Sequence, residues 1–170
     1  MPVAYEDIKR LFLYKCPKAS QTKSETLFIL QIYILFYCNT LGQISRLIYV
    51  QSFGYKYGLP LEADLVWDVR FLPNPFYEKS LRSQTGLDEP VREFLFRYDE
   101  TKTFLAKCRD MLAFLLPLYE AEGKSTLVLA VGCTGGQHRS VAMAHALSET
   151  IRALGYQVAE SHRDMTRERK

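Results

Sequence analysis

The sequence has few cysteines, and their pattern argues against a disulfide framework or a structural zinc site. Cys16, Cys38, Cys108 and Cys133 lie far apart in the 170 residues, with no Cys-x-x-Cys pair and no histidine nearby at zinc-ligand spacing. Four scattered cysteines without such motifs do not form the pattern of a disulfide framework or a structural zinc site, so we expect neither. We expect a protein of the reducing cytoplasm that holds no metal and no other cofactor.

The sequence also lacks a hydrophobic run long enough to span a membrane. Its longest run, Leu27 to Cys38, has twelve residues and is interrupted by Gln31, whereas a spanning helix needs about 17–25 residues. The residues after this run do not form the small-residue cleavage site of a secretory signal. The run is typical of a buried helix or strand, and we expect no membrane partner.

No charge of one sign dominates the chain. Lys and Arg number 22 and Asp and Glu number 19, which gives a formal net charge of +3 at pH 7. This weak basic excess is compatible with a phosphate-bearing partner but does not demonstrate one. With 48% hydrophobic and 24% charged residues, the composition excludes general disorder and fits one globular domain with room for an appendage.

Hydrophobic periodicity divides the chain into three parts. Residues 1–45 predict a helical N-terminal extension, residues 46–160 an α/β domain, and residues 161–170 a charged tail. Within the domain, β-rich runs alternate with amphipathic segments, which is typical of right-handed βαβ units. We therefore expect a mostly parallel sheet with flanking helices. The predicted strands cover 47–50, 63–71, 126–131 and 156–159, and the predicted helices cover 104–119 and 140–154.

The segment Gly132–Ser140, GCTGGQHRS, concentrates groups that bind phosphate. Its paired glycines let the backbone approach a ligand closely, and successive amides ahead of a helix form an anion cradle. The arginine offers a planar fork that matches phosphate oxygens. The segment follows a buried strand, where parallel sheets place their ligands. The predicted ligand-binding residues are Cys133, Thr134, Gly135, Gly136, Gln137, His138, Arg139 and Ser140.

Two further loops are expected at the same edge of the sheet. Lys56 follows the first predicted strand, and Asp68, Arg70 and Asn74 lie at the end of the second. Each has a simpler explanation, namely a solvated cation, an Asp–Arg ion pair and a turn-forming asparagine. Three loops after three parallel strands nevertheless predict a shared pocket, and we place these four side chains in or beside it.

The same segment supports a competing chemistry. Cys133 and Arg139 have the Cys-x5-Arg spacing of cysteine-dependent phosphatases, in which a thiolate attacks phosphorus and Ser140 would assist its departure. The residue before the cysteine is glycine rather than the usual histidine. No loop identifies itself as the general acid, although Asp68 and Asp88 are available. Binding without turnover is the preferred hypothesis, a phosphatase is its alternative, and a merely structural glycine-rich turn is the third.

Three blocks of the sequence resemble the C-terminal domain of the RapZ family of bacterial RNase adapter proteins. They are SFGYKYGLPLEADLVWDVRFLPNP at 52–75, TGLDEPV at 85–91 and GCTGGQHRS at 132–140. The blocks occur in the family's order, and the resemblance extends from about Arg46 to the tail. Family members normally also carry a nucleotide-binding domain with a Walker A loop. No Gly-x4-Gly-Lys-Ser/Thr occurs here, so we expect a free-standing C-terminal half without nucleotide hydrolysis.

The resemblance implies a fold similar to a phosphofructokinase subdomain and a regulatory adapter rather than an enzyme. It implies that the domain senses glucosamine-6-phosphate, an amino-sugar phosphate, chiefly through Thr134, Gly135, His138 and Arg139. It also implies a small RNA as partner, an RNase or regulatory protein that responds to it, and a homo-oligomer. The family position that matches Tyr57 can be histidine, so no imidazole role is carried over there.

In the family, RNA binding uses basic residues that include the extreme C-terminus. The resemblance assigns this role to Arg163, Arg167, Arg169 and Lys170. Two acidic residues in the same stretch offset them, so attraction to a phosphate backbone is modest. A solvated chain end is the alternative interpretation, and an oligomer would strengthen binding by presenting several tails together.

Overall fold

The structure, a computed structural model, describes residues 47–167. These residues form four strands and three α-helices, with short 3-10 turns after β1 and β2. The strands are β1 Leu47–Gly54, β2 Leu65–Asp68, β3 Thr126–Cys133 and β4 Gln157–His162, and the helices are α1 Glu89–Phe96, α2 Asp99–Ala121 and α3 Arg139–Ala153.

The strands form one parallel sheet in the order β2-β3-β1-β4. The central β3 is buried along most of its length, which explains its unbroken run of apolar residues. Because every pair is parallel, all four strands end at the same edge. The predicted α/β class with a parallel sheet and flanking helices is confirmed.

The core lies between the sheet and α3. This helix packs against β1, β3 and β4, and α2 packs on α3 in turn. Val141, Leu147 and Ile151 on α3 are fully buried together with Val50 and Leu129 of the sheet. Full burial of such a side chain contributes roughly 1.5–3 kcal/mol, so the helical apolar stripe holds α3, and with it the loop before α3, firmly on the sheet.

The elements differ from the sequence expectations mainly at their ends. β1 continues to Gly54, and α2 begins at Asp99 and passes through Pro117. β2 ends at Asp68 because the Asp68 carboxylate accepts the Arg70 backbone N–H at 2.9 Å and turns the chain. The helix α1 was not predicted, although Asp88 at its N-cap and a proline in its first turn are start signals.

The last strand also continues beyond its predicted end. β4 reaches His162, and residues 163–167 turn back over the end of β1, where the Arg163 N–H donates to the Ser52 carbonyl at 3.0 Å. No helix within residues 47–167 has the length and apolar character needed to cross a bilayer. The predicted extension 1–45, its apolar run and the tail residues Arg169 and Lys170 lie outside the described residues.

Candidate phosphate-binding site

A cavity of about 380 Å³ opens at the carboxyl ends of β1 and β3, beside the N-terminus of α3. Its volume is within the roughly 300–1,000 Å³ of small-molecule sites. It lies where a parallel sheet and a helix N-terminus together favour an anionic ligand. The cavity is lined by Lys56, Tyr57, Asn74, Phe76, Tyr77, Cys133, Thr134, Gly135, Gln137, His138 and Arg139.

Most of the predicted ligand-binding residues meet in this cavity. Of the others, Gly136 in the loop and the fully buried Ser140 in α3 do not line the cavity, and Asp68 and Arg70 are exposed and lie outside the lining. Sequence reasoning missed the aromatic part of the wall. The rings belong to Tyr57, Phe76 and Tyr77. The sequence signal that could have found them is their position in the turns after β1 and β2, close to Lys56 and Asn74.

The loop before α3 is folded around the Cys133 sulfur. Gly136 adopts φ 74°, and a Cβ there would lie 2.8 Å from the Gly54 nitrogen, so only glycine fits. The Gly136 N–H donates to Cys133 Sγ at 3.3 Å, and Sγ lies 3.1 Å from Ser140 Oγ. The first helical hydrogen bond runs from the Ala142 N–H to the His138 carbonyl at 2.9 Å, so the preceding amides of the first turn have no partner inside the helix.

Arg139 is fixed at the wall of the cavity. Its Nη1 donates to the carbonyls of Arg70 at 2.6 Å and Leu72 at 3.1 Å, and its Nη2 donates to Thr134 Oγ1 at 3.4 Å. The residue is only 6% exposed, and no carboxylate within residues 47–167 forms a salt bridge with it. The Asp68 carboxylate acts on Arg139 only from beyond salt-bridge distance, so the buried guanidinium has no carboxylate in direct contact, which favours an anion in the adjoining space.

His138 is oriented by the chain that follows the second 3-10 turn. Its Nε2 lies 3.2 Å from the Leu81 carbonyl. Since a carbonyl only accepts hydrogen bonds, Nε2 must carry a proton in this arrangement. The imidazole is buried, so its ring plane is set before any ligand arrives.

Asp68 and Arg70 support the site from outside. They form a bidentate ion pair with Nη2–Oδ2 at 2.7 Å, and the Arg70 guanidinium stacks 4.1 Å from the centre of the Tyr55 ring. The backbone carbonyl of Arg70, not its side chain, reaches the cavity wall by accepting from Arg139. The side chains of Asp68 and Arg70, which the sequence placed in or beside the pocket, therefore support its wall and do not line it.

Neither carboxylate considered as a general acid has the protonation behaviour that this role needs. The hydrogen bond from the Arg70 side chain lowers the pKa of Asp68, and the hydrogen bond from the Thr85 backbone N–H lowers the pKa of Asp88. A general acid needs a carboxyl that keeps its proton near neutral pH, which requires a raised pKa. Both groups are therefore ionised when a leaving group would need a proton.

The two remaining loops are held by one contact to the loop before α3 and by contacts within their own turns. The Lys56 N–H donates to the Thr134 carbonyl at 3.3 Å, and Lys56 Nζ lies 4.9 Å from the centre of the Tyr57 ring. Asn74 Oδ1 accepts the Phe76 N–H at 3.3 Å and caps the turn Pro75–Tyr77. These contacts place a cation and two aromatic side chains at the rim of the cavity.

The two tail arginines within the described residues form ion pairs close to this rim. Arg163 Nη2 lies 2.8 Å from Asp164 Oδ2 and donates to the Gly58 carbonyl at 2.7 Å. Arg167 Nε lies 3.0 Å from Asp164 Oδ1, and its guanidinium lies 4.6 Å from the centre of the Tyr57 ring. Within residues 47–167, no group of three His, Cys, Asp or Glu side chains is arranged to hold a metal ion.

The fold and the cavity together define an α/β domain with a small-molecule-sized site at the carboxyl edge of a parallel sheet. The model of the RapZ C-terminal domain matches residues 46–166. The chain therefore belongs to the RapZ C-terminal domain family, and the resemblance seen in the sequence is confirmed.

Curated bacterial relatives agree with this assignment. A nucleotide-binding protein of Caldanaerobacter subterraneus subsp. tengcongensis is 58% identical over 122 residues, which are 72% of this chain and 43% of the relative. Nucleotide-binding proteins of Carboxydothermus hydrogenoformans and Geobacillus thermodenitrificans are each 54% identical, over 123 and 129 residues, covering 72% and 76% of this chain and 43% of either relative. The chain thus spans less than half the length of the curated relatives it matches.

Proposed function

We propose that this domain binds a small sugar phosphate resembling glucosamine-6-phosphate and acts as a regulatory module. The observation that carries the proposal is the buried guanidinium of Arg139, which forms no salt bridge within residues 47–167 and borders a cavity at the N-terminus of α3. Because Nη1 is taken by two loop carbonyls, the remaining donors of the fork, Nη2 and Nε, are those that would meet phosphate.

The rest of the wall suits a sugar attached to that phosphate. Phe76 and Tyr77 supply apolar ring faces for the C–H groups of a pyranose, and Asn74 supplies an amide for its hydroxyls. A protonated amino group on the sugar would be favoured beside the π-face of Tyr77, because Lys56 and Arg167 already lie over the Tyr57 ring.

Calorimetric titration tests this proposal. We expect glucosamine-6-phosphate to bind, glucosamine without phosphate not to bind, and Arg139→Lys to weaken binding roughly ten-fold or more, because a lysine cannot present the fork. Arg152→Lys, on the exposed last turn of the same helix, is the matched control and should bind as the wild type does. Absence of binding for every phosphate compound would contradict the proposal.

We further propose that the domain works as an RNA-binding adapter in the cytoplasm, as a homo-oligomer whose RNA is passed to an RNase or regulatory protein. Of the two predicted RNA-binding arginines within residues 47–167, Arg167 is the better candidate, since its side chain is 52% exposed while that of Arg163 is 24% exposed. The predicted contacts of Arg169 and Lys170 remain part of this proposal.

The phosphatase alternative keeps one specific observation in its favour. Cys133 lines the cavity and its sulfur accepts the Gly136 N–H, so a thiolate there would face the same anion. The lowered pKa values of Asp68 and Asp88 argue against either of these available carboxylates as its general acid. We expect no phosphate release from an aryl phosphate; release that is abolished by Cys133→Ser would favour the enzyme instead.

A further inference from the structure

The segment Arg163–Arg167 is attached to the wall of the cavity although it does not line it. The side-chain amide of Gln137 donates from Nε2 to the Arg167 carbonyl at 2.8 Å, and the Arg167 guanidinium stacks on Tyr57. Gln137 and Tyr57 both line the cavity. The segment therefore contacts two parts of the cavity wall, namely the loop before α3 and the turn after β1.

The carboxylate of Asp164 is the centre of this attachment. Asp164 is fully buried, and its Oδ2 accepts the Gly54 backbone N–H at 2.8 Å as well as two donors of Arg163, at 3.0 Å and 2.8 Å. Arg167 Nε lies 3.0 Å from Oδ1 and forms an ion pair with it, but Oδ1 accepts no hydrogen bond within the described residues. Two guanidinium groups thus compensate a buried charge that would otherwise repel an anion nearby.

Asp164 also touches the phosphate loop directly. A Cβ built on Gly136 would lie 2.8 Å from Asp164 Cβ and 2.8 Å from the Gly54 nitrogen. The loop, the end of β1 and the Asp164 side chain therefore meet without spare room. A displacement of Asp164 must move Gly136, whose N–H is bonded to Cys133 and fixes the path of the loop.

We propose that Asp164 is a positioning residue for the anion site. Its Oδ2 fixes the end of β1 through Gly54, and its side chain sets the position of Gly136 and the neighbouring loop amides. Arg163 serves the same site by neutralising and orienting Asp164. This inference rests on the proposed function, since it concerns the geometry with which that same loop would hold phosphate.

Substitution at position 164 tests the proposal with glucosamine-6-phosphate as the probe, in calorimetry on the full chain. We expect Asp164→Ala to weaken binding roughly ten-fold or more, because a loop displaced by a fraction of an ångström no longer converges on the phosphate. Asp164→Asn keeps an acceptor for the Gly54 N–H and the volume beside Gly136, so it should restore binding to within about three-fold of the wild type.

A second pair of variants makes the test independent of the folding of Asp164→Ala. Arg163→Gln should weaken binding several-fold, whereas Arg152→Gln, which removes the same charge from an exposed position of α3, should not. The proposal is overturned if Asp164→Ala lowers only the melting temperature and binds as the wild type does, or if Arg163→Gln and Arg152→Gln behave alike. A wild-type protein that binds no phosphate compound would instead refute the proposed function itself.

Discussion

At the level of single residues, one carboxylate in β4 is held between two imidazoles. Glu160 Oε1 lies 3.1 Å from both His145 Nδ1 and His162 Nε2, and His162 Nδ1 lies 2.9 Å from Ser52 Oγ. Burial alone would raise the pKa of Glu160, but the hydrogen bonds from His162, Ser148 and His145 outweigh it and lower that pKa to about 2. The carboxylate is therefore stabilised as an anion in the folded state.

This cluster gives a pH prediction. Because the pKa of Glu160 is lower in the folded protein than in the unfolded chain, its stabilisation is present above about pH 4.5 and is lost as the pH falls toward 2. We expect Glu160→Gln to flatten the fall in unfolding free energy between pH 4.5 and 3, measured by urea denaturation. Glu149→Gln, at an exposed neighbour paired with Arg152, should retain the wild-type slope; equal slopes in wild type and Glu160→Gln would contradict this account.

The residue scale also shows what the sequence could and could not predict. The type and spacing of the residues predict that Arg139 and the glycines form a phosphate-binding loop, because such a prediction follows from local chemistry. The carbonyl partners of Arg139 belong to residues 70 and 72, far away in sequence, and no local pattern encodes that pairing. For the same reason the role of Arg163 as a partner of Asp164 becomes visible only in the folded chain.

Among the elements, the turn before α1 is packed unusually close to the first turn of α3. The Gly86 N–H donates to the Gln137 carbonyl at 2.9 Å, and a Cβ at Gly86 would lie 2.3 Å from both the Ala142 nitrogen and the His138 oxygen. Backbone atoms cannot yield as the end of a side chain can, so any larger residue must separate the turn from the helix.

We therefore expect Gly86→Ala to destabilise the domain by about 2 kcal/mol or more and to weaken ligand binding, since it displaces the helix terminus that faces the cavity. Urea denaturation measures the first effect. Gly135→Ala is the matched control for stability: its Cβ would meet no atom within 4 Å, and its unfolding free energy should stay within about 0.5 kcal/mol of the wild type. Similar losses in both variants would show that close packing is not the cause.

Elements were predicted best where the periodicity was strong. The apolar run of β3 and the apolar stripe of α3 are explicit in the sequence because β3 is buried inside the sheet and α3 packs against it. The helix α1 was missed because it has only eight residues, and its start signals, Asp88 and Pro90, occur equally in turns. The extra length of β1 comes from pairing with β3 as far as Gly54, and that of β4 from pairing with β1 as far as His162, a tertiary effect.

At the scale of the whole molecule, the position of the basic residues leads to a prediction about how RNA binding depends on salt concentration. Each phosphate contact contributes about 0.7–0.9 to the slope of log binding constant against log salt concentration. Replacing Arg167, Arg169 and Lys170 together by glutamine should therefore reduce this slope by about 2–3, measured by filter binding with a structured RNA. Arg163 is left unchanged, because its charge is paired with Asp164.

A second triple variant controls for net charge. Lys102, Lys107 and Arg109 are exposed positions of α2, so replacing them with glutamine removes the same charge from a different surface. We expect this variant to leave the slope close to the wild-type value. An equal reduction in both variants would mean that RNA responds to overall charge rather than to the tail.

The parallel sheet also determines where the end of the described chain emerges. Since β4 ends at the same edge as β1 and β3, the next few residues reach the mouth of the cavity, and the exposed Thr166 precedes the residue whose carbonyl is held by Gln137. A fluorescent dye attached to Thr166→Cys would thus stand at the entrance without filling it. If the domain binds a sugar phosphate as proposed, the topology makes this position a suitable point for an optical indicator of its concentration.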